Sequence, residues 1–553
     1  MRLVLPAVSA AISLLVLIPL LGHGFVLNYD MVFAPEQTLV PDSLGLGSAL
    51  PRLVPADAVM AWATALLPGD IVQKLVLLLA LFLAPLGAGR LVPTDSTAIR
   101  VVAAVWYGWS AYLAERLFMG HWPYLVAYAC LPWIASAGLA VRRGEPKAVA
   151  KLILACLPAV ITPTGGILAA VLAVVCAGRR AVPVAIALNM PWWVPSVLRP
   201  GGALSTPDGV GAFAARAESW ASPVVSVLGL GGYWNSEAVP GSRAMPVMPL
   251  LTLVFVAVAL WGLRSLASRW GVRPARALLI LGAVGVAIAS LGAVSGGDDV
   301  LRWAVQHVPG AGLLRDSQKW VAWWALPSAL GFALGVEAAG KYLTNRVGLV
   351  AVAVLLPLVT MPDFAWAGLG RLRTVEYPSD WAAVRTVLES SEEPGDVLAL
   401  PMSAFRRFAW NRDRTQLDPA PRYLPRTTVT DDVVYVGGHP IAGEDTRTAA
   451  VRAALASGQS LGGQGIGWVL VEHGTPGAVD PSILSSLRET WSGPWLTLYR
   501  VPGPIAPPPA GAPFGIVLAA DLIALAVGAS GLLWLLLPAG RFRRHSVVRT
   551  VEE

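Results

Sequence analysis

Apolar runs separated by short polar or basic segments set the pattern of this chain. The first extends from Leu3 to Leu21 behind Arg2. Others follow at about Ile71 to Leu91, Ala98 to Leu113, Trp122 to Val141, Ala148 to Ile161, Ile167 to Ala177 and Ala181 to Val197. After a polar interval come about Val247 to Leu263, Ala277 to Val294, Trp320 to Val336, Val347 to Met361 and, far downstream, Ile516 to Leu537. A helix of roughly 20 apolar residues crosses the hydrocarbon core of a bilayer. The pattern therefore predicts a polytopic α-helical membrane protein of about twelve transmembrane helices. No small-residue cleavage site follows Leu21, so the first run is read as a retained span.

Charge placement gives an independent check, because loops left in the cytoplasm collect Lys and Arg. Arg90 and Arg100, then Arg142, Arg143 and Lys147, then Arg179 and Arg180 all fall on one side of these spans. Arg264, Arg269, Arg273 and Arg276, then Lys341 and Arg346, then Arg541, Arg543 and Arg544 join them. Both termini are thus expected in the cytoplasm and the protein in the plasma membrane. The long polar material lies outside: Gly22 to Asp70, a short connection around Glu115 to His121, Arg199 to Pro246, Ser295 to Lys319, and Pro362 to Pro513.

The last of these segments turns to soluble composition and predicts a small extracytoplasmic α/β domain. Ser379 is placed to cap a helix through Leu388, Thr446 to Ser457 has a helical pattern, and Asp396 to Leu400 and Trp468 to Glu472 read as short buried strands. A stiff Pro-rich linker, Pro502 to Pro513, leads to the final span. The expected organisation is a membrane core over residues 1–361, the α/β domain over 362–513, and the last helix with a basic tail over 514–553.

Composition agrees with the pattern: 55% of residues are hydrophobic and 14% charged, and the mean hydropathy is +0.62. The net charge of +7 resides in the basic loops and tail, so it reports topology and no nucleic-acid partner is expected. Cys130, Cys156 and Cys176 lie inside apolar runs without CxxC spacing and are expected to be packing residues. The chain contains no Walker A loop, HExxH or GxSxG motif, which argues against ATP-driven transport, zinc peptidase and serine esterase chemistry. No metal ligands or cofactor are expected, and no motif indicates a divalent cation.

Polar residues at predicted outer boundaries remain. Asp30, in LNYDMVF with Asn28 and Tyr29, is an acid at membrane depth, where an ionisable group is costly unless it is partnered or borders water. A carboxylate there suits a general base that takes a proton from an attacking hydroxyl. In AERLFMGHWPYL, Arg116 stands on the outer side against the usual charge bias, next to Glu115 and His121. A guanidinium can clamp a phosphate or pair internally with Glu115 or Asp30. In LLRDSQKW, Arg315 and Lys319 flank Asp316, which either helps hold an anion or caps a helix.

The residues LNYDMVFAP, ERLFMGHWPYLVAYACLPW and GLLRDSQKW resemble GT-C-fold glycosyltransferases, which use polyprenyl-phosphate-linked sugars. More narrowly they are similar to the membrane core of the large arabinofuranosyltransferases of actinobacterial cell walls, over roughly Met1 to Met361. The resemblance implies a catalytic Asp30, with Arg116, His121, Asp316 and Lys319 lining one cavity. The expected donor is a polyprenyl-phosphate sugar, arabinofuranose or mannose, with Arg116, His121, Arg315 and Lys319 at its phosphate. The expected acceptor is a cell-envelope glycan or glycolipid. Two other classes remain open to the sequence: a flippase or transporter of a lipid-linked glycan, and a non-catalytic GT-C-like assembly partner.

Overall fold

The structure is a computed structural model and describes residues 3–48, 50–199 and 204–537. The basic tail with Arg541, Arg543 and Arg544 lies outside the described residues. Among them, seven helices are long and apolar enough to cross a membrane: Gly69–Leu91, Trp122–Arg143, Pro163–Leu198, Met248–Trp270, Val272–Leu291, Ser317–Ala339 and Phe514–Leu536. Arg346–Thr360 with Pro362–Leu369 makes an eighth when this pair, bent by 62°, counts as one span. The chain is a multi-pass membrane protein with fewer such helices than the apolar runs predict.

The shortfall has local causes. The run from Ala98 to Leu113 breaks at Trp109, because the Ser110 side chain caps a second helix, Ala111–Phe118, by accepting from the Leu113 N–H. Thr97–Gly108 alone rises about 18 Å, well short of a bilayer core. Ala148–Cys156 has only nine residues, Val4–Leu20 is a shorter apolar helix, and a 3-10 turn at Gly178–Ala181 divides Pro163–Leu198. The segment around Glu115 to His121, expected as an outer connection, is mostly the wholly buried helix Ala111–Phe118. The three cysteines are free and buried, as their apolar setting implies.

Small residues let the central helices approach closely. A Cβ added to Gly262 would stand 1.9 Å from the Gly331 carbonyl oxygen and 2.3 Å from the Gly335 nitrogen. Gly331 and Gly335 repeat at the four-residue spacing that brings helix backbones together in membranes. At one end of the bundle, Arg269 donates to the Pro93 carbonyl and to Glu337 at 2.6 Å each, and Lys147 donates to the Leu535 carbonyl at 2.8 Å. The loops with Asp30, His121 and Asp316 meet one another at the other ends of the helices.

The soluble region contains a five-stranded sheet. Asp396–Leu400 is parallel to Thr428–Val429 on one side and to Ile466–Glu472 on the other, with Leu398 opposite Val469. Leu496–Arg500 and Arg488–Ser492 continue the sheet antiparallel. The helix Thr446–Ser457 has its expected limits, capped by Asp445. Ser379 differs: it is the first residue of the helix Ser379–Ser390, whose start has no side-chain cap bond. The sheet region is tied to the membrane helices by chain adjacent to Asp30. Phe25–Val26 pairs antiparallel with Thr374–Val375, and the Tyr29 N–H donates to the Thr415 carbonyl at 2.7 Å.

Gly331→Leu is expected to lower stability by about 1–3 kcal/mol through overpacking, read as a lower unfolding temperature in detergent. An unchanged temperature would mean that the helices do not meet at this glycine.

Candidate functional site

A cavity of about 1180 Å³ lies between the membrane helices and the sheet region. Asp30, His121, Tyr124, Arg315, Asp316 and Lys319 border it from the helical side, and Ser403, Phe405, Arg407 and Tyr435 from the sheet side. Two stretches nearly 200 residues apart in sequence therefore converge on Asp30.

The backbone at Asp30 is held from both directions. Its N–H donates to the Met119 carbonyl at 3.1 Å, while the Leu417 N–H donates to the Tyr29 carbonyl at 2.8 Å. Asn28 is buried and its side-chain amide donates to the Phe118 carbonyl at 2.5 Å. Tyr29 has φ of +46°, left-handed backbone that costs a residue with a side chain about 1–3 kcal/mol and persists only where surrounding contacts enforce it. Gly120 permits the approach: a Cβ there would stand 2.3 Å from the Met31 nitrogen and 2.4 Å from the Asn28 carbonyl oxygen.

Four side chains form a line along the cavity wall, three of them bordering the cavity. The Asp30 carboxylate lies 2.6 Å from His121 Nε2, and His121 Nδ1 lies 2.9 Å from an Arg116 guanidinium nitrogen. A guanidinium only donates, so Nδ1 accepts and Nε2 carries the proton toward Asp30. The same Arg116 nitrogen donates to Asp316 at 3.0 Å, and its other terminal nitrogen donates to Gln318. Its charge also stands 4.5 Å from the centre of the Tyr233 ring. Burial works against the charge of Asp316, yet Arg116, Lys319 and His121 hold its carboxyl below the usual carboxylate range.

Arg116 is 0% exposed and does not border the cavity. That corrects its expected place at a donor phosphate: the guanidinium orients His121. Glu115, also 0% exposed, receives a hydrogen bond from Gln318 at 3.1 Å. Burial, followed by the neighbouring Glu218 carboxylate, pushes the Glu115 carboxyl well above its ordinary range. Glu218 in turn pairs with Arg243 at 2.7 Å.

Lys319 is 5% exposed and borders the cavity, and its ammonium makes no hydrogen bond or ion pair among the described residues. Tyr124 and Trp320 present their rings 6.0 and 5.7 Å away. An enclosed ammonium is costly to leave unpaired unless water or an anion meets it. Arg315 borders the same cavity but pairs with Glu444 of the sheet region at 2.9 Å, and Glu444 also takes Arg52 at 2.6 Å. Tyr29, expected as a supporting residue, donates its hydroxyl to Glu237. Burial and that neighbour raise its phenol to about 12. Arg52, Glu237 and Glu444 escape sequence reasoning, since none belongs to a periodic stretch or a motif. Among the described residues no three His, Cys, Asp or Glu side chains gather as a metal ion would require.

No protein-family model and no curated protein matches this chain. Among solved structures, the single-particle cryo-EM structure of arabinofuranosyltransferase AftD from Mycobacteria superposes with a TM-score of 0.55 at 16% identity, over 90% of this chain and 40% of that one. A mutant form of AftD superposes with a TM-score of 0.45 at 15% identity, over 90% of this chain and 41% of that one. This chain thus spans less than half the length of that enzyme.

Glu115 supplies a pH test. Its folded-state pKa stands above its unfolded value, so between the two the native state binds the extra proton and stability falls as pH rises. Glu115→Gln removes this dependence and is expected to unfold at an equal or higher temperature than wild type at pH 8. A large destabilisation there would show that the ionised carboxylate is required. The likeness to AftD is one of fold: over the part they share, this multi-pass membrane protein is similar in fold to that arabinofuranosyltransferase.

Proposed function

We propose that this protein is a membrane glycosyltransferase of the GT-C type, acting on a polyprenyl-phosphate sugar with arabinofuranose or mannose as the transferred group. The acceptor is a hydroxyl of a cell-envelope glycan or glycolipid on the outer face of the plasma membrane. One observation carries the reading: a partly exposed carboxylate, Asp30, is backed by the line His121, Arg116 and Asp316, and shares a cavity with the unpaired ammonium of Lys319. The outer location is supported by the basic loops gathered at the opposite helix ends.

In the proposed reaction the acceptor hydroxyl gives its proton to Asp30 as its oxygen attacks the anomeric carbon. The bond between that carbon and the phosphate oxygen breaks, and its electron pair leaves with the polyprenyl phosphate. Lys319, with Arg315, meets the added negative charge, and the Asp30 carboxylate also favours the positive charge that builds on the ring. His121 holds one Asp30 oxygen through its Nε2 proton, leaving the other for the acceptor. Arg116 and Asp316 act through His121 by fixing its tautomer. The leaving lipid phosphate drives transfer without a nucleotide, in keeping with the missing nucleotide motifs.

General-base catalysis contributes about 10²–10⁴-fold. Asp30→Asn is therefore expected to lower sugar transfer from a polyprenyl-phosphate donor at least 100-fold, with an unfolding temperature close to wild type. Full transfer by this variant ends the catalytic reading. An envelope phenotype fully rescued by an inactive Asp30→Asn protein would instead favour an assembly partner.

A further inference from the structure

A second carboxylate faces the cavity next to Asp30, and the proposed reaction does not use it. Glu237 is exposed, borders the cavity and accepts the Tyr29 hydroxyl on one oxygen. Its backbone N–H donates to the Asn235 side chain at 3.0 Å, and the Asn235 amide reaches the Met119 sulfur at 3.5 Å. Met119 accepts the Asp30 N–H, and Asp30 follows Tyr29 in the chain. These links close a ring that joins the two carboxylates through fixed backbone, so Glu237 is held relative to Asp30 despite its exposure.

Beside this edge stands an aromatic wall. Trp234 borders the cavity, with the Phe213 ring centre 4.9 Å from its own at an interplanar angle of 73° and the Tyr233 ring tilted with its centre 5.4 Å away. The Trp234 indole N–H makes no hydrogen bond among the described residues. A ring face, a free indole donor and a carboxylate with one open oxygen are the groups that recognise a sugar: apolar C–H faces stack on an aromatic ring, and adjacent hydroxyls donate to a carboxylate.

Position decides which sugar. Lys319 lies on the His121 side of Asp30, through Tyr124, whose ring centre is 4.9 Å from that of His121. Glu237 is joined to Asp30 through Tyr29 instead, by the hydroxyl that it accepts. We infer that Glu237, Asn235 and Trp234 form the subsite for the acceptor sugar ring, seating its attacking hydroxyl at Asp30 while the donor phosphate occupies the Lys319 side. This rests on the reading of Asp30 as the base.

The test measures binding to the full-length protein in detergent on an Asp30→Asn background, where turnover does not interfere. The probes are methyl trisaccharides of arabinofuranose and of mannose, farnesyl phosphate, and farnesyl-phosphoryl arabinofuranose. Glu237→Gln, which still accepts the Tyr29 hydroxyl, and Trp234→Ala are each expected to weaken at least one trisaccharide tenfold or more. Both should leave farnesyl phosphate within twofold and the unfolding temperature unchanged. Unaltered trisaccharide affinity, no trisaccharide binding by the parent, or an equal loss for farnesyl phosphate overturns the subsite. A loss confined to farnesyl-phosphoryl arabinofuranose assigns the ring to the donor and overturns the acceptor reading. Glu237-dependent trisaccharide binding in a protein whose wild type transfers no sugar would leave the subsite standing and remove the transferase.

Discussion

The arrangement depends on one fully buried cation. Removing a guanidinium from water costs several kcal/mol, and the cost is offset only when nearly every donor finds an acceptor in good geometry. Arg116 gives three of its five N–H groups to Asp316, Gln318 and His121 and stacks its charge on Tyr233, while its Nε–H finds no partner among the described residues. Its bond to His121 Nδ1 sends the imidazole proton toward Asp30. The charge that stabilises this part of the core thereby also aims the carboxylate that faces the cavity.

The membrane helices do not hold Asp30 alone. Tyr29 is bridged to Gln416 and Thr415 of the sheet region, and the buried Asn411 side chain donates to the Leu27 carbonyl at 3.0 Å. Farther around the rim, Glu444 takes both Arg52 and Arg315. The sheet region thus closes the cavity and secures the loop that carries its acid. Its place in the sequence, more than 340 residues after Asp30, conceals that role.

Legibility followed the cost of charge. Asp30, His121, Asp316 and Lys319 were visible because a polar group beside an apolar run requires a reason, and all four meet at one cavity. The burial of Arg116 was not visible: a Glu-Arg pair near a predicted span end reads as a wet loop, and only the break at Ser110 turns it inward. The expected twelve spans compare with seven or eight helices of spanning length among the described residues, since apolar run length does not register a cap or a 3-10 turn. Glu237, in the 3-10 turn Ser236–Ala238, and Glu444, in a loop, acquire meaning only from partners more than 120 residues away. The strands Asp396–Leu400 and Ile466–Glu472 were legible because buried parallel strands are continuously apolar.

The central claim is that one cavity brings a lipid-linked phosphate to Lys319 and a sugar hydroxyl to Asp30. The most direct measurement is a cryo-EM structure of the full chain with a non-hydrolysable polyprenyl-phosphonate sugar. The account predicts a phosphonate oxygen about 3 Å from the Lys319 ammonium, with the anomeric carbon facing Asp30. Density for the phosphonate on another face of the protein, with Lys319 left unoccupied, would contradict it.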